Sequence, residues 1–371
     1  MPHAHPPLRS GVIGTGGIAH AHAAAIAALP GQYTLAGVTD VDQDRAVAFA
    51  AEMGSERVFP DAQSLLASGE IDIVHICTPP GTHADLSIQA MRAGVTALVE
   101  KPTALSLAEF DRVARIEAET GVQTLTVFQH RFGPAAEHLR RLAAEGALGR
   151  PLIATCETLW FRPDEYFDVP WRGRWDIEGG GPTMGHGIHQ FDLLLSVLGP
   201  WDDITAIASR QSRPTDTEDV SLSLVRFAGG AVASVVNSLV SPRETSRLRF
   251  DFEHATIEVE HLYGYTSADW TFTPAPGHEH LADAWIRHVE GEAPSSHRDQ
   301  FSAIAAALAE GERAGVDIAD ARRTLEFAAA TYAASFGGAR IASGEIVEGT
   351  PFYDTMHGGI VPWETVKEVV A

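Results

Sequence analysis

Between Leu8 and Phe128 the chain alternates short, nearly unbroken apolar runs with longer segments whose apolar residues recur at helical spacing. The runs are LRSGVI (8–13), YTLAGVTD (33–40), IDIVHICTPP (71–80), TALVEKP (96–102) and TLTVF (124–128). Runs this short and this apolar read as strands buried on both faces. The segments between them read as helices: 19–29, stopped by Pro30-Gly31; 43–53; 83–93, closed by Gly94; and 107–120, closed by Gly121. Such alternation predicts an α/β domain built on a parallel, doubly wound sheet of the Rossmann type, covering residues 1–128.

From Arg150 onward the period changes to two. VSLSLVRFAGGAVASVVNSLV (220–240) is a pair of alternating runs around Gly229-Gly230, a hairpin signal, and RLRFDFEHATIEVEHLYG (247–264) reads as a second pair. Helices are expected at about 299–312 and 320–336, the latter stopped by Gly337-Gly338, while TPAPGHEH (273–280) reads as a loop. Residues 129–371 are therefore expected to form an α+β domain with a large, mostly antiparallel sheet carrying helices on one face, serving substrate binding and oligomerisation.

The first strand–helix junction, GVIGTGGIAHAHAAAI (11–26), spaces Gly14, Gly16 and Ala19 as G-x-G-x-x-A. Gly14 permits the tight turn, Gly16 leaves room for a pyrophosphate, and Ala19 lets helix and strand pack closely. Backbone N–H groups of Gly17 and Ile18 then face the phosphates at the helix start. Alone, the motif describes any glycine-rich turn. Here a second strand follows and ends on Asp40, where a carboxylate accepts from the adenosine ribose hydroxyls. A carboxylate there favours NAD over NADP, with Arg45 close enough in sequence to keep NADP open.

Two stretches hold candidate chemistry. VEKPTALS places Lys101 at the carboxyl end of a parallel strand, where ligands of open α/β sheets bind, although a solvated strand-end lysine reads the same way. EGGGPTMGHGIHQFDLLLSVLG (178–199) sets His186 and His189 three apart ahead of an apolar helix. A near-neutral histidine suits proton removal from an alcohol, and a core or capping histidine is the bland alternative. A zinc site of His186, His189 and Asp192 is disfavoured by spacing that does not bring all three to one helix face, so no metal is expected. In WFRPDEYFDVPWRGRWD (160–176), Trp171, Arg172, Arg174 and Trp175 fit the wall of a polyhydroxy-ligand site or a packed seam equally well.

On GVIGTGGIAHAH, VHICTPPGTHADL, VEKPTALS, FQHRFGPAAEHLRRL, GALGRP and GGGPTMGHGIHQFD, in that order, the chain resembles the glucose–fructose oxidoreductase/inositol dehydrogenase (Gfo/Idh/MocA) family of NAD(P)-dependent sugar and polyol dehydrogenases. The resemblance covers essentially the whole chain. It implies that Lys101 contacts substrate beside the nicotinamide, that the Lys101–Pro102 peptide is cis, and that His189 is the catalytic histidine. It further implies that Thr78, Pro79 and His83, with Glu100 and Lys101, run along the dinucleotide, and that Arg131 binds substrate. Two departures stand out: Gly185 replaces an aspartate common four residues before the histidine, and Gln129-His130 replaces Asn-Arg. His186 is the neighbour able to take over part of the missing carboxylate's role.

Composition narrows the rest. With 27 basic against 49 acidic residues in 371, the net charge of −22 repels nucleic acid and anionic membranes. Two cysteines form no framework, and MPHAHPPLRSG shows no apolar signal region, so a cytoplasmic setting is expected, with His3 and His5 in a tail. The expected function is hydride transfer between a sugar, sugar-derivative or cyclic polyol hydroxyl and NAD(P), in a homodimer or homotetramer joined through the C-terminal sheet. The rivals are a non-catalytic NAD-bound sensor and an NAD-retaining enzyme that cleaves glycosides by transient oxidation.

Overall fold

A computed structural model describes residues 6–55, 57–289 and 294–364, leaving His3 and His5 outside. The chain forms two compact units, one of residues 1–104, 109–127 and 297–322, the other of residues 105–108, 128–296 and 323–371.

The first unit opens with β1 (Leu8–Ile13), α1 (Gly17–Ala27), β2 (Tyr33–Thr39), α2 (Gln43–Met53) and α3 (Ala62–Ala67). It continues through β3 (Ile73–Ile76), α4 (His83–Arg92), β4 (Thr96–Val99), α5 (Leu107–Thr120) and β5 (Thr124–Thr126). All five strands are parallel in the order β2-β1-β3-β4-β5, so the sheet reverses direction of growth between β1 and β3, and ligands of such sheets bind beyond the carboxyl ends there. Strands β3, β4 and β5 are buried nearly throughout, which is why their sequences are continuously apolar. One apolar layer gathers Phe59, Leu65, Val74, Ile76, Val95 and Val99; the layer on Ile73, Leu98 and Leu125 is closed by Phe301 and Ile304. Those last two residues belong to α9 (His297–Ala309, numbered in chain order), which returns to this unit late in the chain. Tyr33 donates to the Phe301 carbonyl at 2.8 Å and Gln300 to the Thr126 carbonyl at 2.7 Å, fixing that return.

In the second unit α6 (Pro134–Ala144) precedes β6 (Pro151–Phe161), α7 (Ile188–Leu198), β7 (Trp201–Ser209), β8 (Val220–Phe227), β9 (Val232–Ser238), β10 (Val240–Phe252), β11 (Ala255–His261) and β12 (Trp270–Pro274). After α8 (His280–Val289), α10 (Ile318–Gly337), β13 (Ile341–Ala342) and α11 (Pro351–Asp354) complete the elements of the described residues. Eight strands lie in the order β12-β11-β10-β6-β9-β8-β7-β13, antiparallel except for the parallel β6–β9 pair. The fold class is the one the periodicity predicts. Two details differ: Thr273 and Pro274, read as loop, end β12, an edge strand where proline's missing N–H costs no ladder bond, and His280, at the end of the same stretch, opens α8, a helix the periodicity did not mark.

Alternation along β8 puts Ser221, Ser223 and Val225 inside and Leu222 and Leu224 outside. Across the ladder Ile207 opposes Leu222 and Val232 opposes Arg226, so Ile207, Leu222, Leu224 and Val232 make one exposed apolar face. Among the described residues no helix is long and apolar enough to cross a membrane.

Candidate active site

In the first unit the glycines of the β1–α1 turn have separate jobs. Gly14 has φ of +86°, and a Cβ there would lie 2.9 Å from the Thr78 backbone nitrogen, so the fold itself requires glycine. Gly16, the residue before α1, has ordinary φ, and a Cβ there meets no protein atom within 4 Å. Helix α1 starts with no capping side chain and no acid in its first turn, leaving the N–H donors around Gly17 and Ile18 for an anion. This cradle fits a dinucleotide pyrophosphate. Gly16→Val should therefore keep the fold and weaken NAD binding at least tenfold by calorimetry, the scale of one lost charge-assisted contact (roughly 1.5–3 kcal/mol). Unchanged affinity in a folded variant would remove the phosphate assignment.

Asp40 sits just past β2 with its carboxylate almost fully engaged. It accepts from the Thr15 N–H at 2.7 Å, the Asp42 N–H at 2.9 Å and the Arg45 guanidinium at 2.6 Å. Burial alone would raise its pKa, but the bonds from Arg45, Thr15 and Asp42 outweigh it and hold the carboxyl at about 2. It is an anion at neutral pH, with Arg45 already beside it.

Beyond β3, Thr78 and Pro79 lead into a short 3-10 turn, and Thr82 donates to the Thr78 hydroxyl at 2.7 Å. His83 is buried with the Pro102 carbonyl 2.7 Å from Nδ1 and the Thr78 carbonyl 2.8 Å from Nε2, bracing the ends of β3 and β4 together. Burial lowers its pKa against the pull of those two carbonyls. Lys101 closes β4 half-buried, and the Lys101–Pro102 peptide is cis, as the resemblance implies.

The Glu100 side chain points inward. Its Oε1 lies 2.9 Å from His22 Nε2 and 3.6 Å from His297 Nε2, and its Oε2 accepts from the Lys101 N–H at 3.3 Å. His22 Nδ1 meets His75 Nδ1 at 3.0 Å, and His75 Nε2 reaches Ser10 Oγ at 3.3 Å. Burial by itself pushes the Glu100 carboxyl up; His22 and His297 outweigh it and hold it well below the usual carboxylate range. His22, Glu100 and His297 are the one set of metal-type ligand atoms that converges among the described residues. The 2.9 Å contact has the spacing of a hydrogen bond, so the trio reads as a buried, charge-assisted brace beneath Lys101.

In the second unit a π-turn over Thr183–Gly187 runs into α7, carrying His186 on the turn and His189 in the first turn of the helix. Single π-turns of this kind cluster at functional sites. Asp192, one turn further on, is fully buried: Arg131 donates from Nε and Nη2 at 2.6 and 2.7 Å, and Thr324 donates at 2.8 Å. Asp192 thus belongs to an ion pair that anchors α7, and Arg131 engages it with two nitrogens. His189 is buried with the His130 ring 5.0 Å away and the Phe128 and Tyr263 rings edge-on at 6.3 Å. His130, a departure from the family pattern, therefore packs against the candidate base.

His186 meets the edge of Trp160 at 5.1 Å, and its Nε2 lies 3.3 Å from the Tyr166 hydroxyl. The Arg172 guanidinium lies 3.9 Å from the Tyr166 ring centre and 4.3 Å from that of Trp171. Those three and His186 come together. Trp175 stands apart: it donates to the Asp216 carbonyl at 2.7 Å and packs edge-on to Tyr332 at 5.2 Å. Arg174 pairs with Asp176 at 2.7 Å. Tyr166, Glu178 and His130 are neighbours of the site that spacing did not single out. Glu178 Oε1 lies 3.5 Å from where a Cβ on Gly185 would stand, so a carboxylate does face the position where the family often has an aspartate.

Two family profiles match this chain: an oxidoreductase family, NAD-binding Rossmann fold, over residues 8–129, and the GFO/IDH/MocA C-terminal domain over residues 136–258. UDP-N-acetylglucosamine 3-dehydrogenase of Acidithiobacillus ferrooxidans is 31% identical, over 69% of this chain and 74% of that protein. D-glucoside 3-dehydrogenase of Escherichia coli is 25% identical, over 77% and 89%. The structure of the WlbA dehydrogenase from Bordetella pertussis, in complex with NADH and UDP-GlcNAcA, superposes with a TM-score of 0.81 at 25% identity, covering 92% of this chain and 99% of that one. The chain belongs to the Gfo/Idh/MocA family of oxidoreductases with an NAD-binding Rossmann fold.

Proposed function

We propose that this NAD-dependent dehydrogenase oxidises a CH–OH group of a sugar, sugar derivative or cyclic polyol, with His189 as base and Lys101 holding the reacting oxygen. Bound NAD supplies the hydride acceptor. His189 takes the hydroxyl proton as the carbinol C–H electron pair departs with its hydrogen, and the Lys101 ammonium stabilises the negative charge growing on oxygen. The reverse reduction uses the same groups. The observation that carries the reading is that both halves of the chain match this family while Lys101 and His189 keep their motif places. Trp171 and Arg172 suit the apolar face and hydroxyls of a polyhydroxy ligand, and the relatives named above act on glucosides and a nucleotide sugar. A panel of sugars, glycosides and cyclic polyols tests it, with reduced cofactor and released sugar followed separately. Net cofactor reduction is expected. Sugar release without it would mean transient oxidation, and neither would mean a sensor.

Cofactor choice follows from the Asp40–Arg45 pair. Asp40→Ser removes the anion and leaves Arg45 in place for a 2′-phosphate. The variant should move the NAD-to-NADP ratio of kcat/KM toward NADP by roughly ten- to a hundredfold, the worth of a charged hydrogen bond. A wild type that already prefers NADP would overturn this reading of Asp40.

The exposed apolar face of β7, β8 and β9 supports a homodimer or homotetramer joined through the sheet, a state that light scattering reads directly. Cys77 and Cys156 are buried free thiols, which supports the cytoplasmic setting.

A further inference from the structure

We propose that Tyr166, Arg172 and Glu178 form a positioning chain that holds His186 as a neutral imidazole, its Nε2 accepting and its proton on Nδ1. The proposal rests on the reading of the His186–His189 turn as catalytic. Hydrogen-bond polarity carries it. A guanidinium only donates, and Arg172 Nη1 donates to the Tyr166 hydroxyl, so that oxygen is the acceptor there. Arg162 bonds the same oxygen, so both of its lone pairs are taken and the phenolic hydrogen is left for the next polar atom, His186 Nε2, at 3.3 Å. A nitrogen that receives a proton donor must offer a lone pair. In a histidine that places the remaining proton on Nδ1.

The surrounding charges agree. Arg172 lies over one face of the Tyr166 ring at 3.9 Å and Arg162 approaches it at 5.4 Å, and both disfavour a further cation at His186. Trp160 presents an uncharged edge to the imidazole. Glu178 is the facing anion, and its geometry ties it to the arginine. Its Oε2 accepts from the Gly173 N–H at 2.6 Å, and its Oε1 lies 3.9 Å from Arg172 Nη1. The same Oε1 stands 3.5 Å from the Cβ that Gly185 lacks, so the carboxylate packs against the π-turn and keys residues 172–173 to it.

The functional consequence is a division of labour between two neighbouring histidines. His186 Nε2 is committed to Tyr166, which leaves His189 as the member of the pair that gains and loses the substrate proton. Tyr166 and Glu178 act through His186 and Arg172, so they are positioning residues.

The test is long-range proton–nitrogen correlation spectroscopy of protein labelled with 15N-histidine, at neutral pH, with His186→Gln used to assign the His186 signals. The wild type is expected to show His186 with protonated Nδ1 and bare Nε2. Tyr166→Phe should lose that single tautomer, and should lower kcat about tenfold with KM within about twofold, the signature of misplacement rather than lost binding. A wild-type His186 carrying its proton on Nε2, or protonated on both nitrogens, overturns the proposal. So does a spectrum unchanged in Tyr166→Phe. The wild-type spectrum decides the tautomer even where Tyr166→Phe fails to fold. It needs no turnover, so an absence of activity on every polyol would count against the dehydrogenase assignment and leave the tautomer result standing.

Discussion

His189→Ala is expected to lower turnover by roughly two to four orders of magnitude, the range set by losing a positioned acid or base, with NAD affinity close to that of the wild type. His189 sits at the start of α7, buried against His130, Phe128 and Tyr263, on a helix anchored by the Arg131–Asp192 pair. An alanine there removes the imidazole and leaves the anchor intact, so the effect falls on kcat rather than on folding. On the proposed mechanism, in which both groups act on one oxygen, Lys101→Ala is expected to be as severe. His186→Ala is expected to cost much less. Each single variant is checked for folding and NAD affinity before kinetics. Near-normal turnover in His189→Ala would send the proton elsewhere, with Lys101 the first alternative and the adjacent His130 imidazole the second. A larger loss for His186 than for His189 would reverse the two roles.

Much of this was legible in the sequence, for reasons that can be stated residue by residue. Strands such as β3 and β4 are buried on both faces, so apolar continuity alone marks them. Gly14 is forced by φ of +86° and by its approach to Thr78, and such a glycine shows in any single sequence. Partners are harder to read than elements. The amphipathic pattern around α9 announces a buried face, yet nothing local says that Phe301 and Ile304 close a layer on β3, β4 and β5. The parallel β6–β9 pair within an antiparallel sheet is likewise a matter of long-range pairing. At the site, residue type suggested a ligand-facing wall or packed seam containing Trp175, and the resemblance implied a substrate role for Arg131; in the structure Trp175 packs against Tyr332 and Arg131 pairs with Asp192. The Glu178–Arg172–Tyr166–His186 chain spans 20 residues of irregular backbone with no period for a pattern to reveal.

The last expectation concerns stability and is carried by Glu218, a fully buried carboxyl near the second histidine segment. Its Oε2 accepts from the Gly181 N–H at 3.0 Å, and its Oε1 from the Thr183 N–H at 3.2 Å and the Tyr332 hydroxyl at 2.9 Å. Burial pushes its pKa up from 4.5 to about 7, against the hydrogen bonds from Gly181, Tyr332 and Thr183. A carboxyl whose folded pKa lies above its unfolded value stabilises the fold fully below the unfolded pKa. That contribution is lost as pH climbs through the folded one. At 1.36 kcal/mol per pKa unit the loss approaches ~3 kcal/mol between pH 4.5 and pH 8. Glu218→Gln removes the titration and keeps one oxygen; its amide nitrogen leaves either the Gly181 or the Thr183 N–H without an acceptor, a cost that does not vary with pH. The wild type should therefore lose about 3 kcal/mol relative to Glu218→Gln across that window, read from denaturant unfolding of both proteins at a series of pH values. Asp40 and Glu100, whose pKa values are lowered, act in the opposite direction, but equally in both proteins, so the difference isolates Glu218. A flat difference across that window would mean that the folded pKa of Glu218 does not lie above its unfolded value. Glu218→Ala should cost roughly 1–3 kcal/mol even at acid pH, because two buried N–H donors lose their acceptor. Those donors open the π-turn that presents His186, so the alanine variant is expected to lose turnover along with stability, and the glutamine variant, which keeps one of the two acceptors, to lose less of each.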